Sequence, residues 1–483
     1  MKILFIYSTD NIDPAGKLLN HPGRMYFGLS HLSSLLKKYG YETNLLVLSR
    51  MLGKKNLSMT NKYINNFNPD IIGFTSVASE YNFIATIAGY VKNHYPEKFL
   101  LIGGVHATLN PEEVIKDSFD AVCIGEGEYP LLEFVQEYNQ NKIPEKIKNF
   151  WIKRENGIEI NPTREFNPDI DQFPHPDRDI WNDWIDDKPE SPYTILLGRG
   201  CPFKCTYCSN HALKKVAPGK YVRMRSPGNI LNEIKEIQNN NTAKRKFYFE
   251  IDTIGVDIKW TLNLCNEIEK YNQTINPQIS FGTNLRITPN LKFELILNSL
   301  KNANCTYINI GLESGCERIR RDILQRNYSN KLIIDAVNYA KEIGMDVFIY
   351  NMVGLPTETI EDFNETIEIN KICQPKMTRT SIFYPYKGTE IYKYCIENNL
   401  IDRKKVNLIE RTDTVLKSEA FPRKLIVRNF IWFDYNVYKD DRSKLHLLIQ
   451  VLIKYVIVNP YFSYINKIIS VKLIRRFLRK FLS

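Results

Sequence analysis

Cysteine is scarce in this chain, and it is unevenly distributed. Six of the nine cysteines in the 483 residues stand singly at wide spacing, which does not suit a disulfide framework and indicates reduced thiols. The other three, Cys201, Cys205 and Cys208, fall within eight positions of the stretch "GRGCPFKCTYCS". This cluster is the one cysteine feature that requires a local explanation.

The sequence also lacks a low-complexity tract and an apolar run of about twenty residues that could span a bilayer. Its first residues, "MKILFIYSTDN", lack the long apolar region and the small-residue cleavage site of a secretory signal. Hydrophobic residues make up 43% of the chain and charged residues 25%, as in folded globular proteins. We therefore expect a cytoplasmic protein of two to four domains.

Positive charge is concentrated at one end of the chain. The formal net charge is +11, and from Lys424 onward twelve Lys and Arg stand against three Asp. Because the rest is nearly neutral, no nucleic-acid partner is expected. Residues 460–483 alternate apolar and basic residues at helical spacing. Such a helix is typical of peripheral contact with an anionic membrane, here the inner face; a helix docked on the protein with its basic side in solvent is the alternative.

The first 140 residues alternate short apolar runs with helical patterns, which predicts an α/β, doubly wound parallel sheet of Rossmann-like type. Ligands of such sheets bind beyond the carboxyl ends of the strands. Three successive strand ends carry small or polar residues that let a large ligand approach the backbone, although each glycine alone is explained by a tight turn. The candidate contacts are Thr75, Ser76, Gly103, Gly104, His106, Gly125, Glu126 and Glu128.

The second half of the chain repeats the alternation after a connector. Residues 141–190 are rich in Pro, Asn and Asp and predict a linker with a small hairpin around "RENGIEI". Residues 191–400 contain six strand and helix repeats, which predict a partial (β/α)6 TIM-like barrel, since eight repeats would need more chain. Residues 401–483 form a helical C-terminal extension.

The cysteine cluster follows the predicted strand "YTILLG" and so occupies the first loop at the barrel face where active sites form. Three thiolates at C-x3-C-x2-C spacing can hold a 4Fe-4S cluster and leave one iron open for a ligand. A structural zinc site needs a fourth ligand, which His211 could supply. The spacing differs from zinc ribbons and lacks a second pair, so we favour the iron-sulfur interpretation and retain zinc as the alternative.

The cluster, with the aromatic Tyr207 before its last cysteine, resembles the radical S-adenosylmethionine (radical SAM) enzymes. "INIGLESGCERIRRDILQRN" and "YPYKGTEIY" resemble further segments of that family, and "YNMVGLPTET" resembles its GLPGET motif with Thr357 in place of a glycine. The resemblance implies a 4Fe-4S cluster that cleaves S-adenosyl-L-methionine to a 5'-deoxyadenosyl radical. It also implies contacts to S-adenosyl-L-methionine from Tyr207, Asp252, Glu313, Ser314 and Arg326.

The N-terminal region resembles the cobalamin-binding domain that precedes the barrel in one radical SAM subgroup. "LLIGGVHATLNPEEV" and "DAVCIGEGEYPLLEF" correspond to the GGxHxT and GEGE stretches of that subgroup, and the two resemblances cover about residues 1 to 395. No histidine has an Asp two residues before it, so the D-x-H-x-x-G motif that ligates cobalt elsewhere is absent. His106 is then interpreted as a contact to the corrin or its tail, with a plain loop histidine as the alternative.

These resemblances predict a cobalamin-dependent radical SAM enzyme that methylates an unactivated carbon. Its implied partners are a small-molecule or lipid-like substrate and an electron donor such as flavodoxin or ferredoxin. Radical cyclisation or rearrangement is an alternative within the family, and a non-catalytic cobalamin-binding protein is an alternative outside it. A methylthiotransferase is disfavoured, because that group has three further N-terminal cysteines and this region has Cys123 alone.

Overall fold

A computed structural model describes residues 1–10, 12, 17–19, 22–138, 142–188, 190–402 and 410–458. The chain divides into two compact units. Unit 1 comprises Met1–Phe203, Cys208–Lys244 and Tyr386–Thr389, and unit 2 comprises Lys204–Tyr207, Arg245–Pro385 and the residues from Glu390 onward. The functional domain limits given by the sequence, near 140, 190 and 400, remain a prediction.

Unit 1 is built on a seven-stranded sheet in the order β2-β1-β3-β4-β5-β6-β7. The first five strands are parallel, and β6 and β7 extend the edge as an antiparallel hairpin. The predicted doubly wound sheet is thereby confirmed. The strands are β1 (Lys2–Ser8), β2 (Glu42–Leu48), β3 (Ile71–Thr75), β4 (Phe99–Gly103), β5 (Ala121–Cys123), β6 (Phe150–Arg154) and β7 (Gly157–Ile160).

Burial explains why these segments form central strands. All five residues of β3, "IIGFT", are buried, as expected for a parallel strand covered by helices on both faces. Three short strands and a set of helices complete the described part of unit 1. They are β8 (Tyr193–Leu196), β9 (Gly198–Arg199) and β10 (Arg223–Met224), with α1 (Phe27–Lys38), α2 (Lys55–Phe67), α3 (Tyr81–His94), α4 (Val105–Leu109), α5 (Pro111–Val114), α6 (Glu128–Glu137), α7 (Asn210–Leu213) and α8 (Pro227–Asn240).

Unit 2 contains five parallel strands in the order β15-β14-β13-β12-β11. In β14, "DVFIYNMV", buried residues alternate with partly buried ones, so one face of the sheet is fully buried and the other only partly. The strands are β11 (Lys246–Ile254), β12 (Ser280–Leu285), β13 (Cys305–Glu313), β14 (Asp346–Val353) and β15 (Met377–Ile382), with α9 (Ile258–Thr274), α10 (Phe293–Asn302), α11 (Asn330–Glu342), α12 (Ile360–Cys373) and α13 (Glu390–Glu397).

Two further helices, α14 (Arg423–Tyr438) and α15 (Lys444–Val458), lie in the predicted helical extension, whereas residues 410–422 contain no helix. Within the described ranges, we find no helix whose length and apolar content would suffice to cross a bilayer. The predicted basic amphipathic helix at 460–483 lies outside the described residues.

Candidate functional site

The three clustered cysteines lie in the loop that follows β9, as the sequence predicted for a loop after a strand. All nine cysteines are among the described residues, and none of them forms a disulfide. The loop begins at Gly200, whose φ of +85° favours glycine, and a Cβ there would come within 2.5 Å of the Tyr221 carbonyl oxygen. A larger residue at this position would therefore displace the start of the loop.

Arg286 lies just beyond the carboxyl end of β12. It faces Cys205, the one cysteine of the cluster that belongs to unit 2. Its Nη1 lies 2.6 Å from the sulfur of Cys205, close enough to donate a hydrogen bond. The contact places a positive charge beside a proposed cluster ligand. Arg286 was not predicted from the sequence. Its place at a strand end, next to the predicted barrel face, is the signal that could have found it.

A hydrogen-bonded network joins three residues that the sequence predicted to act together. The Tyr207 hydroxyl donates to Oε1 of Glu313 at 3.0 Å, and Nη1 of Arg326 lies 3.3 Å from the same oxygen. Burial raises the pKa of Tyr207 well above its ordinary value, so the phenol stays neutral. Glu313 has a φ of +65°, a strained conformation for a residue with a side chain. The structure thus brings Tyr207, Glu313 and Arg326 together.

The other two residues predicted to contact S-adenosyl-L-methionine are placed differently. Ser314 is fully buried, and its hydroxyl accepts a hydrogen bond from the amide of Cys316, as in a local turn. Asp252 is exposed near the carboxyl end of β11 and is not part of the Tyr207 network described above. Their predicted role stays a prediction.

The stretch "GLPTET" forms a tight turn after β14. Thr357, which stands where the resembling motif has glycine, adopts a φ of +62°, the left-handed conformation that glycine adopts easily. The following Glu358 is fully buried and accepts hydrogen bonds from the amides of Gly354 (2.7 Å) and Leu355 (3.1 Å). Burial raises the pKa of Glu358 to about 8. The turn therefore keeps its shape at the cost of strain at Thr357.

The strand ends of unit 1 place Thr75, Ser76 and Gly104 against one another. Gly104 has a φ of +93°, and a Cβ there would lie 2.6 Å from Oγ1 of Thr75 and 2.9 Å from the Ser76 carbonyl oxygen. Gly103 ends β4 beside them. Only glycine fits this position, because the Thr75 hydroxyl and the Ser76 carbonyl occupy the space that a side chain would need. The predicted contact of these strand ends with a ligand stays a prediction.

Buried polar atoms without partners lie at the same strand ends. Ser76 Oγ and both ring nitrogens of His106 are buried and make no hydrogen bond. The His106 ring stacks on Tyr81 with centroids 4.2 Å apart, and burial lowers the pKa of His106 to about 4. An unpaired buried polar atom is costly unless a ligand satisfies it. This arrangement fits a bound group with polar substituents.

The third strand end carries Gly125, Glu126 and Glu128. The Gly125 amide donates to the Thr108 hydroxyl at 3.0 Å, and Gly125 has a φ of +81°. Both carboxylates are engaged by arginines, which the sequence analysis did not anticipate. Within unit 1, Arg199 donates to Glu126 at 3.1 Å and to Glu128 at 2.5 Å, and Arg223 donates to Glu126 at 2.7 and 2.9 Å. The predicted ligand contact of the two carboxylates stays a prediction.

Comparison with protein families identifies two matching domains. Residues 26–135 match the B12 binding domain, and residues 195–369 match the radical SAM superfamily. These segments contain the strand ends of unit 1 and the cysteine cluster, respectively. The predicted order of the two domains is confirmed.

Three known proteins illustrate the similarity. An uncharacterized methyltransferase of Pyrococcus horikoshii is 26% identical over 82% of this chain and 83% of its own length. An anaerobic magnesium-protoporphyrin IX monomethyl ester cyclase of Rubrivivax gelatinosus is 22% identical over 88% of this chain and 75% of its own length. The structure of the radical S-adenosylmethionine methyltransferase TsrM of Kitasatospora setae, with cobalamin and a [4Fe-4S] cluster bound, is similar with a TM-score of 0.65, 14% identity and coverage of 83% and 79%. At this identity the likeness to TsrM shows a shared fold.

Proposed function

This chain is a radical SAM enzyme with an N-terminal B12-binding domain, and from that premise we propose that it methylates an unactivated carbon of a small-molecule or lipid-like substrate. The methyltransferase names of the Pyrococcus and Kitasatospora proteins support the reaction class. The proposal assigns cobalamin binding to residues 1–140, a linker to 141–190, the radical SAM core to 191–400 and an extension to 401–483.

Cys201, Cys205 and Cys208 would hold the 4Fe-4S cluster. When bound, the cluster supplies the electron that cleaves S-adenosyl-L-methionine to a 5'-deoxyadenosyl radical, and cobalamin supplies the methyl group. The three thiols, none of which forms a disulfide, and the guanidinium 2.6 Å from the Cys205 sulfur fit this donor set. The role proposed for Arg286 is to place a positive charge beside the cluster ligand Cys205.

The network of Tyr207, Glu313 and Arg326 would position S-adenosyl-L-methionine. Tyr207 and Arg326 fix one carboxylate oxygen of Glu313, which leaves its other oxygen to accept a hydrogen bond from the cofactor's ammonium group. Asp252 and Ser314 complete the proposed set of contacts.

The strand ends of unit 1 would bind cobalamin. Gly103 and Gly104 lie at the carboxyl end of β4, where ligands of such sheets bind, and Ser76 and His106 offer buried polar atoms that lack partners. His106 is proposed to contact the corrin or its tail. Thr75, Gly125, Glu126 and Glu128 border the same strand ends.

The observation that carries the proposal is the guanidinium of Arg286 at 2.6 Å from the Cys205 sulfur, in the unit that also contains Tyr207, Glu313 and Arg326. To test it, the protein is reconstituted anaerobically with iron, sulfide and cobalamin and supplied with S-adenosyl-L-methionine and strong reductant. We expect a brown protein with cluster and cobalamin absorbance and 5'-deoxyadenosine detected by mass spectrometry.

The matched control is the Cys201→Ala/Cys205→Ala/Cys208→Ala variant, which should bind cobalamin but neither bind a cluster nor form 5'-deoxyadenosine. A colourless wild-type protein that contains zinc and no labile sulfide would overturn the proposal in favour of the zinc site with His211. A wild type that binds both cofactors but leaves S-adenosyl-L-methionine intact would favour a non-catalytic cobalamin protein.

Cyclisation is the second candidate reaction, because the Rubrivivax relative that matches 88% of this chain carries a cyclase name. The two reactions differ in the fate of the methyl group. With isotopically labelled methylcobalamin, methylation predicts transfer of the label to an acceptor, whereas cyclisation predicts that the label stays on cobalamin.

We also propose peripheral contact of the C-terminal extension with an anionic membrane. Apolar side chains recur along one side of α15, with exposures of 70% for Leu445, 43% for Leu448, 61% for Leu452 and 49% for Tyr455. The positive charge of the extension complements anionic lipid. The wild type should float with anionic vesicles and a Leu445→Ser/Leu452→Ser variant should float less; equal flotation would contradict the contact.

An electron donor such as flavodoxin or ferredoxin is proposed on chemical grounds, because the cluster must be reduced for each cleavage. Replacing dithionite with reduced flavodoxin in the reconstituted assay tests this point.

A further inference from the structure

The partly buried face of the sheet in unit 2 carries a group of residues that the cofactor proposals leave unused. Glu250 lies on β11, near the phenol side chains of Tyr248, Tyr307 and Tyr350, and the guanidinium of Arg379 lies against Tyr350. We call these five residues the phenol cluster. All of them lie in unit 2; Glu250 and the three tyrosines are partly buried, and Arg379 is exposed.

Strand register places these side chains on one face. Tyr248 pairs with Gly282, Gly282 with Tyr307, and Tyr350 with Arg379 across neighbouring parallel strands. Paired residues of parallel strands point to the same side of a sheet. Glu250 follows Tyr248 by two positions and so points to that side as well.

Hydrogen bonds hold the walls of the phenol cluster in place. The Tyr248 hydroxyl donates to Oδ1 of Asn284 at 2.6 Å, and Nδ2 of Asn309 donates to the Tyr248 hydroxyl at 3.0 Å. The ring of Tyr307 lies directly over Gly282, where a Cβ would come within 2.0 Å of Cζ. The rings of Tyr248 and Tyr307 are nearly parallel, at 6°. The aromatic walls are thus preorganised.

Glu250 is the one acidic member, and its carboxylate is not neutralised by the protein. Among the residues that the structure describes, none donates a hydrogen bond to it or forms an ion pair with it. Burial, and after it the charge of Asp252, raise the pKa of Glu250 to about 7. A partly buried carboxylate without a donor is unfavourable until a donor arrives.

Arg379 faces the same space but is not the missing donor. Burial raises the pKa of Tyr350. The charge of Arg379 lowers this pKa and the charge of Glu250 raises it, so both charges act on the same phenol. The guanidinium carbon of Arg379 lies 5.9 Å from the centre of that ring, and the residue is exposed. The cation therefore sits against Tyr350 and leaves Glu250 available.

We propose that the phenol cluster binds a substrate that carries a protonated amine, with its ammonium group on Glu250 and between the tyrosine rings. This inference rests on the proposed function, because it assigns the substrate class of that enzyme. The reason is electrostatic: a carboxylate and the negative faces of aromatic rings both attract a cation, and they attract it more strongly where water is displaced. An anion placed beside Glu250 and Asp252 would be repelled.

Three probes of similar size and different charge test the proposal on the reconstituted full chain: benzylamine, benzyl alcohol and benzoate. Binding is measured by equilibrium dialysis. Benzylamine should bind at least about tenfold more tightly than either of the others, as expected for one charge-assisted contact with aromatic support. Equal or tighter binding of benzoate would assign recognition to Arg379 and overturn the proposal.

Variants separate charge from packing. Glu250→Gln should remove the preference for benzylamine, whereas Glu250→Asp, which retains the charge, should preserve it. Glu294→Gln, at an exposed position on α10, is the matched control and should bind benzylamine like the wild type. An equal loss in Glu250→Gln and Glu250→Asp, or no loss in either, would overturn the proposal.

The pH dependence gives a further readout that a merely structural role would not produce. Because Glu250 ionises as the pH rises through about 7, benzylamine binding by the wild type should strengthen from pH 6 to pH 8. Binding by Glu250→Gln should stay flat, and a matching rise in that variant would count against the assignment. The probes report binding without turnover, whereas cluster content and 5'-deoxyadenosine from the wild type report the proposed function, so the two can fail separately.

Discussion

The two candidate cofactor sites satisfy their polar groups in opposite ways. In unit 2, Glu313 is held by Tyr207 and Arg326, and Cys205 is faced by Arg286. At the strand ends of unit 1, Ser76 and His106 keep buried polar atoms without hydrogen bonds. A network of paired charges suits a small charged ligand such as an amino acid group. Bare backbone with neutral polar atoms suits a large ring with amide substituents.

The largest effect is expected from a substitution of one proposed cluster ligand, which should affect the site in unit 2 and not the site in unit 1. Cys205→Ser should eliminate the iron-sulfur absorbance and all 5'-deoxyadenosine formation, because a hydroxyl replaces one of the three proposed cysteine ligands of the cluster. Cobalamin absorbance should remain, since that site lies in unit 1. Cys265→Ala, which changes a buried cysteine on α9, is the control and should keep its iron; loss of iron in both would indicate general unfolding.

The second prediction concerns the paired charges that unit 1 does contain. Arg223 is 2% exposed and donates two hydrogen bonds to Glu126. Arg223→Ala removes two charge-assisted hydrogen bonds from Glu126, although Arg199 still pairs with it, so the substitution should lower the free energy of unfolding by about 3 kcal/mol. Urea denaturation of the apoprotein measures the loss. Lys331→Ala, which removes an exposed pair with Asp335, should change stability by less than about 0.5 kcal/mol.

Acid should weaken the same group of ion pairs. Burial opposes ionisation of Glu128, but the adjacent Arg199 holds the pKa of that carboxyl below its usual range. A carboxyl whose pKa is depressed by folding stabilises the protein above its unfolded pKa, and this stabilisation is lost as the pH falls through the folded value. The wild type should therefore lose stability below about pH 4 more steeply than Glu128→Gln. Parallel unfolding curves for the two proteins would contradict this prediction.

The sequence predicted features that depend on local pattern. The parallel strands, the cysteine loop after a strand, and the glycine at position 104 all follow from periodicity or from what one backbone position allows. Features that depend on long-range charge pairing were not predicted. Arg286 is 81 positions from Cys205, and Arg199 is more than 70 from Glu126 and Glu128, and no periodic signal joins such residues. Only the folded chain shows that these carboxylates are paired.

A substitution at Gly104 tests whether cobalamin binds close to the backbone at the strand ends of unit 1. Gly104→Ala places a Cβ at a positive φ and within 2.6 and 2.9 Å of neighbouring atoms. It should therefore lower the free energy of unfolding by about 2 kcal/mol and weaken cobalamin binding about tenfold. Gly40→Ala is the matched control, because Gly40 has a φ of +83° and no atom within 4 Å of the added Cβ. Gly40→Ala should lower the free energy of unfolding by about 1 kcal/mol and leave cobalamin binding unchanged. Equal cobalamin affinity in both variants would remove the argument for close approach.

The smallest expected effect tests whether His106 is a neutral partner for the ligand. Because burial lowers the pKa of His106 to about 4, the unfolded chain binds a proton on this residue between about pH 6.5 and 4 and the folded chain does not. The histidine therefore stabilises the apoprotein fully above pH 6.5 and progressively less as the pH falls through this range. Relative to His106→Gln, the wild type should lose about 1 kcal/mol of stability between pH 7 and pH 5.5. Bound cobalamin should lessen this loss if a hydrogen-bond acceptor on the ligand contacts the imidazole, because the acceptor would ease protonation. An unchanged slope would show that His106 packs on Tyr81 without contacting the ligand.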